Sequence, residues 1–214
     1  MRFWDSGVLL GESRRARLIR AGVFVFIAGS LLWVLPIRKS GEQGSRYHHA
    51  GQDLDLFERA GVTEFKEGQR GPAFKLTKLD GGSATLEDLA GKLVVLNFWA
   101  TWCSPCEVEM PTLENLWQNL RERGLVVVGV NVDRGAPRSL IDPYVRGKGL
   151  TFPILLDPDL AAANAWRVTG LPATFLVRPS GEVAGVALGL REWDGKEMLA
   201  LLDTLLSGAE HTKH

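Results

Sequence analysis

The sequence predicts an α/β fold with a central mixed β-sheet flanked by helices, preceded by one apolar segment that suits a membrane span. Three observations lead to this prediction. Continuous apolar runs of strand length alternate with helical segments, as expected of parallel strands covered on both faces. A late pair of strands joined by Pro-Ser-Gly adds an antiparallel hairpin. A run of 17 uncharged residues lies near the N-terminus, outside the alternating region.

The composition is that of a globular protein with an uneven distribution of charge. The 214 residues include 25 Lys+Arg, 25 Asp+Glu and 2 Cys, and 45% are hydrophobic. These values exclude wholesale disorder and a disulfide-dense miniature scaffold, and zero net charge gives no reason to expect nucleic-acid binding. Residues 1–40 nevertheless hold seven basic side chains against two acidic ones. This excess of basic residues at the N-terminus suggests that the segment has a role of its own.

The uncharged run from Ala21 to Ile37 indicates what that role is. As a helix it covers about 25 Å, the short end of a membrane span, and apolar residues occupy every face. A cleaved signal peptide is the alternative interpretation. The far end of the run has no small residues in an A-x-A-like arrangement, which favours an uncleaved anchor over residues 21–37.

The flanking charges predict how this anchor is oriented. Four arginines precede the span, and only Arg38 and Lys39 follow it closely. The positive-inside rule therefore places residues 1–20 in the cytoplasm and the rest of the chain in the periplasm or an equivalent space. The predicted location is the inner (cytoplasmic) membrane, in a single pass. Residues 38–70 then form a polar tether to a folded domain over residues 71–214. Within the tether, one short helical turn that packs on the domain is expected from Leu54, Leu56, Phe57 and Val62.

The first half of this domain contains a hairpin, two buried strands and a helix. The segments Phe74–Leu79 and Ser83–Leu86 flank a glycine turn, which is typical of a β-hairpin. Leu93–Ala100 and Leu125–Val132 are runs of strand length that are apolar except for one asparagine each, as in central strands. Between them, Pro105–Arg123 has helical spacing of its apolar residues. The side chains expected to face inward are Val108, Met110, Leu113, Leu116, Trp117 and Leu120.

The second half continues the alternation and closes with a helix. Its predicted elements are a helix over Leu140–Lys148, a strand over Phe152–Leu156, a helix over Leu160–Trp166, a hairpin of Ala173–Val177 with Glu182–Ala187, and a final helix over Asp194–Leu206. Leu199, Leu202 and Leu206 are expected on the inward face of the last helix.

Both cysteines lie at the junction of a buried strand and a helix, as Cys103 and Cys106. A structural zinc site needs four ligands, and the histidines of the chain lie only in the tether and the tail. A structural disulfide closing so short a loop constrains the unfolded chain little. The pattern therefore predicts a redox pair. Cys103, at the helix N-terminus, is the expected nucleophile, and Cys106 then attacks the mixed disulfide and releases the product.

The residues around this pair resemble those of a known family. Phe98 to Cys106, followed by Glu109-Met110-Pro111, is similar to the thioredoxin superfamily and in particular to its TlpA/ResA-like membrane-anchored thiol–disulfide oxidoreductases, a redoxin branch related to AhpC/TSA proteins. The resemblance extends over Gly71–Leu206. It implies a thioredoxin-like fold with an N-terminal hairpin and a central insertion, and it implies no cofactor beyond the Cys103–Cys106 disulfide.

The resemblance also assigns roles to individual residues. Pro172, in a segment matching the family's cis-proline loop, is expected to be cis and beside the cysteines; an ordinary trans turn proline is the alternative. Glu109 is expected to transfer protons to and from Cys106, or else to be a solvated acid of the first helical turn. Asn97 stands where thioredoxin has a buried aspartate. Trp102 and Leu171 are expected to contact substrate.

The implied function is that of a membrane-anchored reductant of protein disulfides. Family precedent suggests apocytochrome c or copper-site proteins as substrates, as in cytochrome c biogenesis, and a membrane electron donor of the DsbD/CcdA type. The lipid bilayer is the other expected partner, through residues 21–37. Two alternatives remain open, a thiol peroxidase of the peroxiredoxin type and a non-enzymatic copper chaperone that uses both thiolates.

Overall fold

The computed structural model describes residues 56–66 and 68–210. The predicted cytoplasmic N-terminus, the predicted span over residues 21–37 and the first part of the tether lie outside these residues. No helix in the described part of the chain is both long enough and apolar enough to cross a membrane.

The described residues form a mixed sheet with helices between its strands. The strands are β1 (Thr63–Glu64), β2 (Lys75–Lys78), β3 (Ser83–Thr85), β4 (Leu93–Trp99), β5 (Leu125–Asn131), β6 (Ile154–Leu156), β7 (Ala173–Val177) and β8 (Val183–Leu188). The helices are α1 (Ser104–Leu120), α2 (Arg138–Gly147), α3 (Ala161–Ala165) and α4 (Lys196–Glu210), with short 3-10 turns at Glu87–Leu89 and Arg121–Arg123. Strands β2 to β8 and the four helices are the predicted elements apart from shifts of a few residues at their ends, whereas β1 and the two 3-10 turns were not predicted.

The order of strands across the sheet is β1-β8-β7-β4-β5-β6-β2-β3. Strands β4, β5 and β6 run parallel, whereas β7 pairs antiparallel with β4 and β8 antiparallel with β7. All seven residues of β4 and all seven of β5 are buried, which agrees with their continuous apolar sequences. The thioredoxin-like α/β architecture predicted from the sequence is therefore present.

Helix α1 begins directly behind the end of β4 and buries one face. Its buried side chains are Cys106, Glu109, Met110, Leu113, Leu116 and Leu120. The prediction for Val108 was wrong, since 61% of its side chain is exposed. The position lies two residues past Cys106, about 200° around the helix, and therefore on the opposite face. Gly124 ends the following 3-10 turn with a φ of 91°.

Helix α4 packs through a face rotated from the predicted one. Met198, Leu201, Leu202 and Leu205 are buried. Leu199 and Leu206, predicted to face inward, are only half-buried. The leucine-rich sequence of this helix offers several overlapping apolar stripes, and packing against the sheet selects one of them.

Residues 56–66 are part of the fold, and the helical turn expected within the tether packs on the domain; Leu54 lies outside the described residues. Residues 56–59 form a helical turn, and Phe57 and Val62 are almost completely buried. Strand β1 then pairs with β8, with Glu64 opposite Gly185. A Cβ atom at Gly185 would lie 2.6 Å from the carbonyl oxygen of Thr63, so the two segments are in close contact. The predicted tether therefore ends before residue 56 rather than at residue 70.

Candidate active site

Cys103 and Cys106 form a disulfide at the start of α1, with an S–S distance of 2.07 Å. Cys103 is the N-cap residue of the helix, and the main-chain N–H of Cys106 donates to its Sγ at 3.3 Å. The exposed fraction is 5% for Cys103 and 0% for Cys106. Both cysteines are thus buried, and Cys103 is the one that retains slight exposure and lines a groove.

A groove of about 650 Å³ opens beside Cys103. One wall comes from the start of α1 and the turn before it, including Trp102, whose side chain is 70% exposed. The other wall comes from α3 and the loop that follows it, ending at Leu171. Trp102 and Leu171 thus line the same groove as Cys103.

The peptide bond between Leu171 and Pro172 is cis, as the resemblance implied. The sheet explains how this loop reaches the cysteines. Because β7 runs antiparallel to β4, its first residue, Ala173, pairs with Phe98 near the end of β4 that leads into the Cys103 turn. The carbonyl of Pro172 accepts a hydrogen bond from the N–H of Gly189 at 2.8 Å, which fixes the loop to the end of β8.

Glu109 lies fully buried on α1, one turn after Cys106. Its Oε1 accepts from Asn97 Nδ2 at 2.7 Å, and its Oε2 accepts from Trp193 Nε1 at 3.2 Å and from the N–H of Arg191 at 3.3 Å. Burial raises the pKa of Glu109 to about 7, although these donors and the Arg191 charge oppose the rise. The alternative of a solvated first-turn acid is therefore wrong for Glu109.

A carboxyl group with this pKa beside a buried cysteine is suited to proton transfer near neutral pH. Together the groove, the disulfide and the acid form one site at the ends of β4 and β7.

Among the residues that the structure describes, no group of three or more His, Cys, Asp or Glu side chains is placed to hold a metal ion.

Comparison with known proteins agrees with this geometry. The sequence pattern of the AhpC/TSA family matches residues 68–186, more than half of the chain. The chain belongs to the AhpC/TSA family. It is 38% identical over 130 residues to the thiol-disulfide oxidoreductase ResA of Bacillus subtilis (strain 168), covering 61% of this chain and 72% of that protein.

Two further comparisons support the same activity. ResA of Geobacillus kaustophilus (strain HTA426) is 42% identical over 122 residues, covering 57% of this chain and 69% of that protein. The structure of a thiol:disulfide interchange protein of the thioredoxin family from Chlorobium tepidum TLS superposes with a TM-score of 0.55 and 29% identity. It covers 68% of this chain and 98% of that one. This AhpC/TSA protein is a thiol–disulfide oxidoreductase with a redox-active Cys103–Cys106 disulfide.

Asn97 holds the acid of this AhpC/TSA site in place. It lies fully buried on β4, opposite Thr174 of β7. Its Nδ2 donates both to Glu109 and, at 2.9 Å, to Thr174 Oγ1, whereas its Oδ1 has no hydrogen-bond partner among the described residues. The substitution of asparagine for the thioredoxin aspartate therefore leaves Glu109 as the carboxyl group of this network.

Two buried aspartates accept hydrogen bonds from amide groups in the two walls of the groove. Asp133 accepts from the N–H of Thr101, in the turn before Cys103, at 3.0 Å, and from Asn131 Nδ2 at 2.8 Å. Asp157 accepts from two N–H groups in the first turn of α3, those of Ala162 and Ala163. Both carboxylates thus satisfy amide groups beside the groove.

The sequence did not reveal that Arg191 and Trp193 belong to this site. Both lie more than 80 residues after Glu109, in a loop between β8 and α4 that carries no motif. A buried carboxylate needs several hydrogen-bond donors, so Glu109 would be expected to have donors besides Asn97. That requirement predicts their existence but not their positions in the sequence.

Proposed function

We propose that this AhpC/TSA protein is a membrane-anchored reductant of protein disulfides that works outside the cytoplasm. The observation that carries the proposal is the asymmetry of the cysteine pair, because Cys103 lies beside an open groove whereas Cys106 is enclosed next to a buried acid. The apolar run over residues 21–37 and its basic flank support the anchor and its orientation.

The first step is attack by Cys103. In the reduced protein the free N–H groups and the dipole of α1 favour the Cys103 thiolate. This thiolate attacks one sulfur of the substrate disulfide. A bond forms between Cys103 and that sulfur, the substrate S–S bond breaks, and the departing substrate thiolate takes up a proton.

The second step releases the product. Glu109 takes the proton of the Cys106 thiol, and the resulting Cys106 thiolate attacks the Sγ of Cys103. The second substrate thiolate leaves, and two electrons have passed to the substrate. The Cys103–Cys106 disulfide present in the structure is the product state, which a dithiol donor of the DsbD/CcdA type must reduce.

The groove indicates how a substrate strand is held. Trp102 presents its exposed ring on one side, and Leu171 lines the other. Within the described part of the chain, neither the N–H nor the C=O of Leu171 makes a main-chain hydrogen bond. Both groups can therefore pair with an extended segment around a substrate cysteine, next to Pro172. Apocytochrome c and copper-site proteins, whose cysteine pairs must be reduced before they bind haem or metal, are the substrate classes that we propose.

Insulin-disulfide reduction and the reduction potential test this function. Cys103→Ala is expected to abolish insulin reduction, and Cys106→Ala to accumulate a Cys103–substrate mixed disulfide that is visible by mass spectrometry. Ser83→Ala, at an exposed position of β3 that does not line the groove, is the control and should keep activity. A reductant requires a potential near about −250 mV or lower.

A potential near about −120 mV would instead identify an oxidant. Peroxide consumption as fast as thiol exchange would favour a thiol peroxidase. Tight Cu(I) binding without turnover would favour a copper chaperone.

A further inference from the structure

The loop over residues 189–193, here called the clamp loop, supplies two of the three hydrogen bonds that the Glu109 carboxylate accepts from the described residues. Glu109 Oε1 accepts from Asn97 of the sheet. Among the described residues, Oε2 accepts only from the clamp loop, through the N–H of Arg191 and Nε1 of Trp193. The orientation of this carboxylate therefore depends on where the clamp loop lies.

The clamp loop is fixed at both of its ends. At one end, the N–H of Gly189 donates to the carbonyl of Pro172 at 2.8 Å. At the other end, the N–H of Trp193 donates to Thr112 Oγ1 of α1 at 3.1 Å, and the Trp193 side chain is fully buried. Between these points, Arg191 makes the remaining attachment.

Arg191 ties the clamp loop to the segment over residues 56–64. Its guanidinium donates to the carbonyl of Gly61 from Nε at 3.1 Å and from Nη2 at 2.9 Å, and to the carbonyl of Leu190 from Nη1 at 2.7 Å. Gly61 ends the helical turn before β1 and has a φ of 66°. One residue thus binds the acid through its main chain and the N-terminal entry to the domain through its side chain.

We propose that Arg191 is a positioning residue that couples the segment over residues 56–64 to the orientation of the Glu109 carboxylate. The proposal rests on the proposed role of Glu109 as the proton acceptor for Cys106. Through this link, displacement of the segment that leads from the membrane moves the clamp loop, and Glu109 Oε2 loses donors.

The groups around Glu109 determine whether its pKa rises or falls when the clamp loop moves. The neighbouring groups on β4 and β7, Asn97 and Thr174, are neutral, and the Cys106 thiol of α1 titrates only when the disulfide is reduced. The clamp loop contributes the neutral Trp193 and the Arg191 cation. Loss of donors to a buried carboxylate destabilises its charged form, so its pKa rises further.

The test measures the Glu109 pKa in the oxidised full chain, where no thiol titrates. Side-chain carboxyl ¹³C resonances are followed against pH by NMR in detergent micelles, with Glu109→Gln identifying the signal. Trp193→Phe keeps an aromatic ring and removes one donor, so the pKa should rise by about one pH unit. Arg191→Lys keeps the charge but loses the planar fork that binds Gly61, and should also raise it.

Gly61→Ala probes the coupling from the other end. A Cβ at this position would lie 2.8 Å from Arg191 Nε, so it displaces the guanidinium. No residue of the clamp loop is substituted in this variant. It should raise the Glu109 pKa in the same direction as Arg191→Lys. Gly149→Ala is the matched control, because Gly149 has the same φ of 66° but no neighbour within 4 Å of an added Cβ. It should leave the pKa unchanged.

Three outcomes are decisive. An unchanged Glu109 pKa in Arg191→Lys and Gly61→Ala overturns the coupling, even if both variants lose stability. A rise in Arg191→Ala alone also overturns it, since the charge then acts through space without positioning. If the pKa rises as expected while the pH profile of insulin reduction stays that of the unmodified protein, the coupling stands and the proton-transfer role of Glu109 fails.

Discussion

At the scale of single residues, Glu109 makes the stability of this protein depend on pH. Its pKa is about 7 in the folded protein, compared with 4.5 for an ordinary glutamate. The folded protein therefore binds this proton more tightly than the unfolded chain does. The stabilisation from Glu109 is complete below about pH 4.5 and is lost as the pH rises through about 7.

Glu109→Gln should remove this dependence. In the unmodified oxidised protein, the contribution of this group to the free energy of unfolding should fall by about 2–3 kcal/mol between pH 5 and pH 8. Urea titrations at several pH values measure it. The variant should fold, because Asn97 can turn its unpartnered Oδ1 toward the new amide. Glu107→Gln, at an exposed position of the same helix, is the control and should retain the original slope.

At the scale of elements, the segment over residues 56–64 belongs to the core. The exposed fraction of Phe57 is 3%, and a Cβ at Gly185 of β8 would lie 3.2 Å from Phe57 Cε1. This helical turn and strand β1 therefore cover the end of the sheet next to β8. The clamp loop is attached to the same segment through Gly61.

Phe57→Ala should lower the free energy of unfolding by about 3 kcal/mol, because it leaves a cavity in the core. Phe65→Ala, at a position that is 42% exposed, removes the same atoms from a half-solvated site and should cost about 1 kcal/mol or less. Chemical denaturation of both variants measures the difference. Equal losses would show that residues 56–64 do not pack as a core element.

Elements with a local pattern were predictable, and those decided by distant contacts were not. Strands β4 and β5 and the Cys103 turn follow from runs of neighbouring residues. Strand β1 has only two residues and is defined by its pairing with β8, which no local pattern encodes. In the site, Cys103, Cys106 and Pro172 came from motifs, whereas Arg191 and Trp193 reach Glu109 only through the fold.

At the scale of the whole molecule, the uneven charge distribution and the redox site fit one arrangement. A basic N-terminus and an apolar run precede a domain whose cysteines form a disulfide. Structural and catalytic disulfides persist in oxidising compartments outside the cytoplasm. We therefore expect the full chain to be held in the inner membrane with its redox site on the outer side.

Fractionation tests this arrangement in the full chain. The protein should stay with membranes through high-salt and alkaline washes, and external protease should degrade its domain in spheroplasts. Phe26→Arg combined with Leu31→Arg should release it, since each arginine costs about 2.5–3.5 kcal/mol at the centre of a span. A shortened chain in the soluble periplasmic fraction would show instead that the segment is a cleaved signal peptide.

The pairing of β7 with β4 places the catalytic residues correctly in only one register. A slip of one residue would carry Pro172 about 3.3 Å along the cysteine pair and turn the side chains of β7 to the opposite face. The hydrogen bond from Asn97 to Thr174, at 2.9 Å, joins two residues that are opposite each other only in the correct register. This buried polar pair thus favours the register that holds the two halves of the catalytic site together.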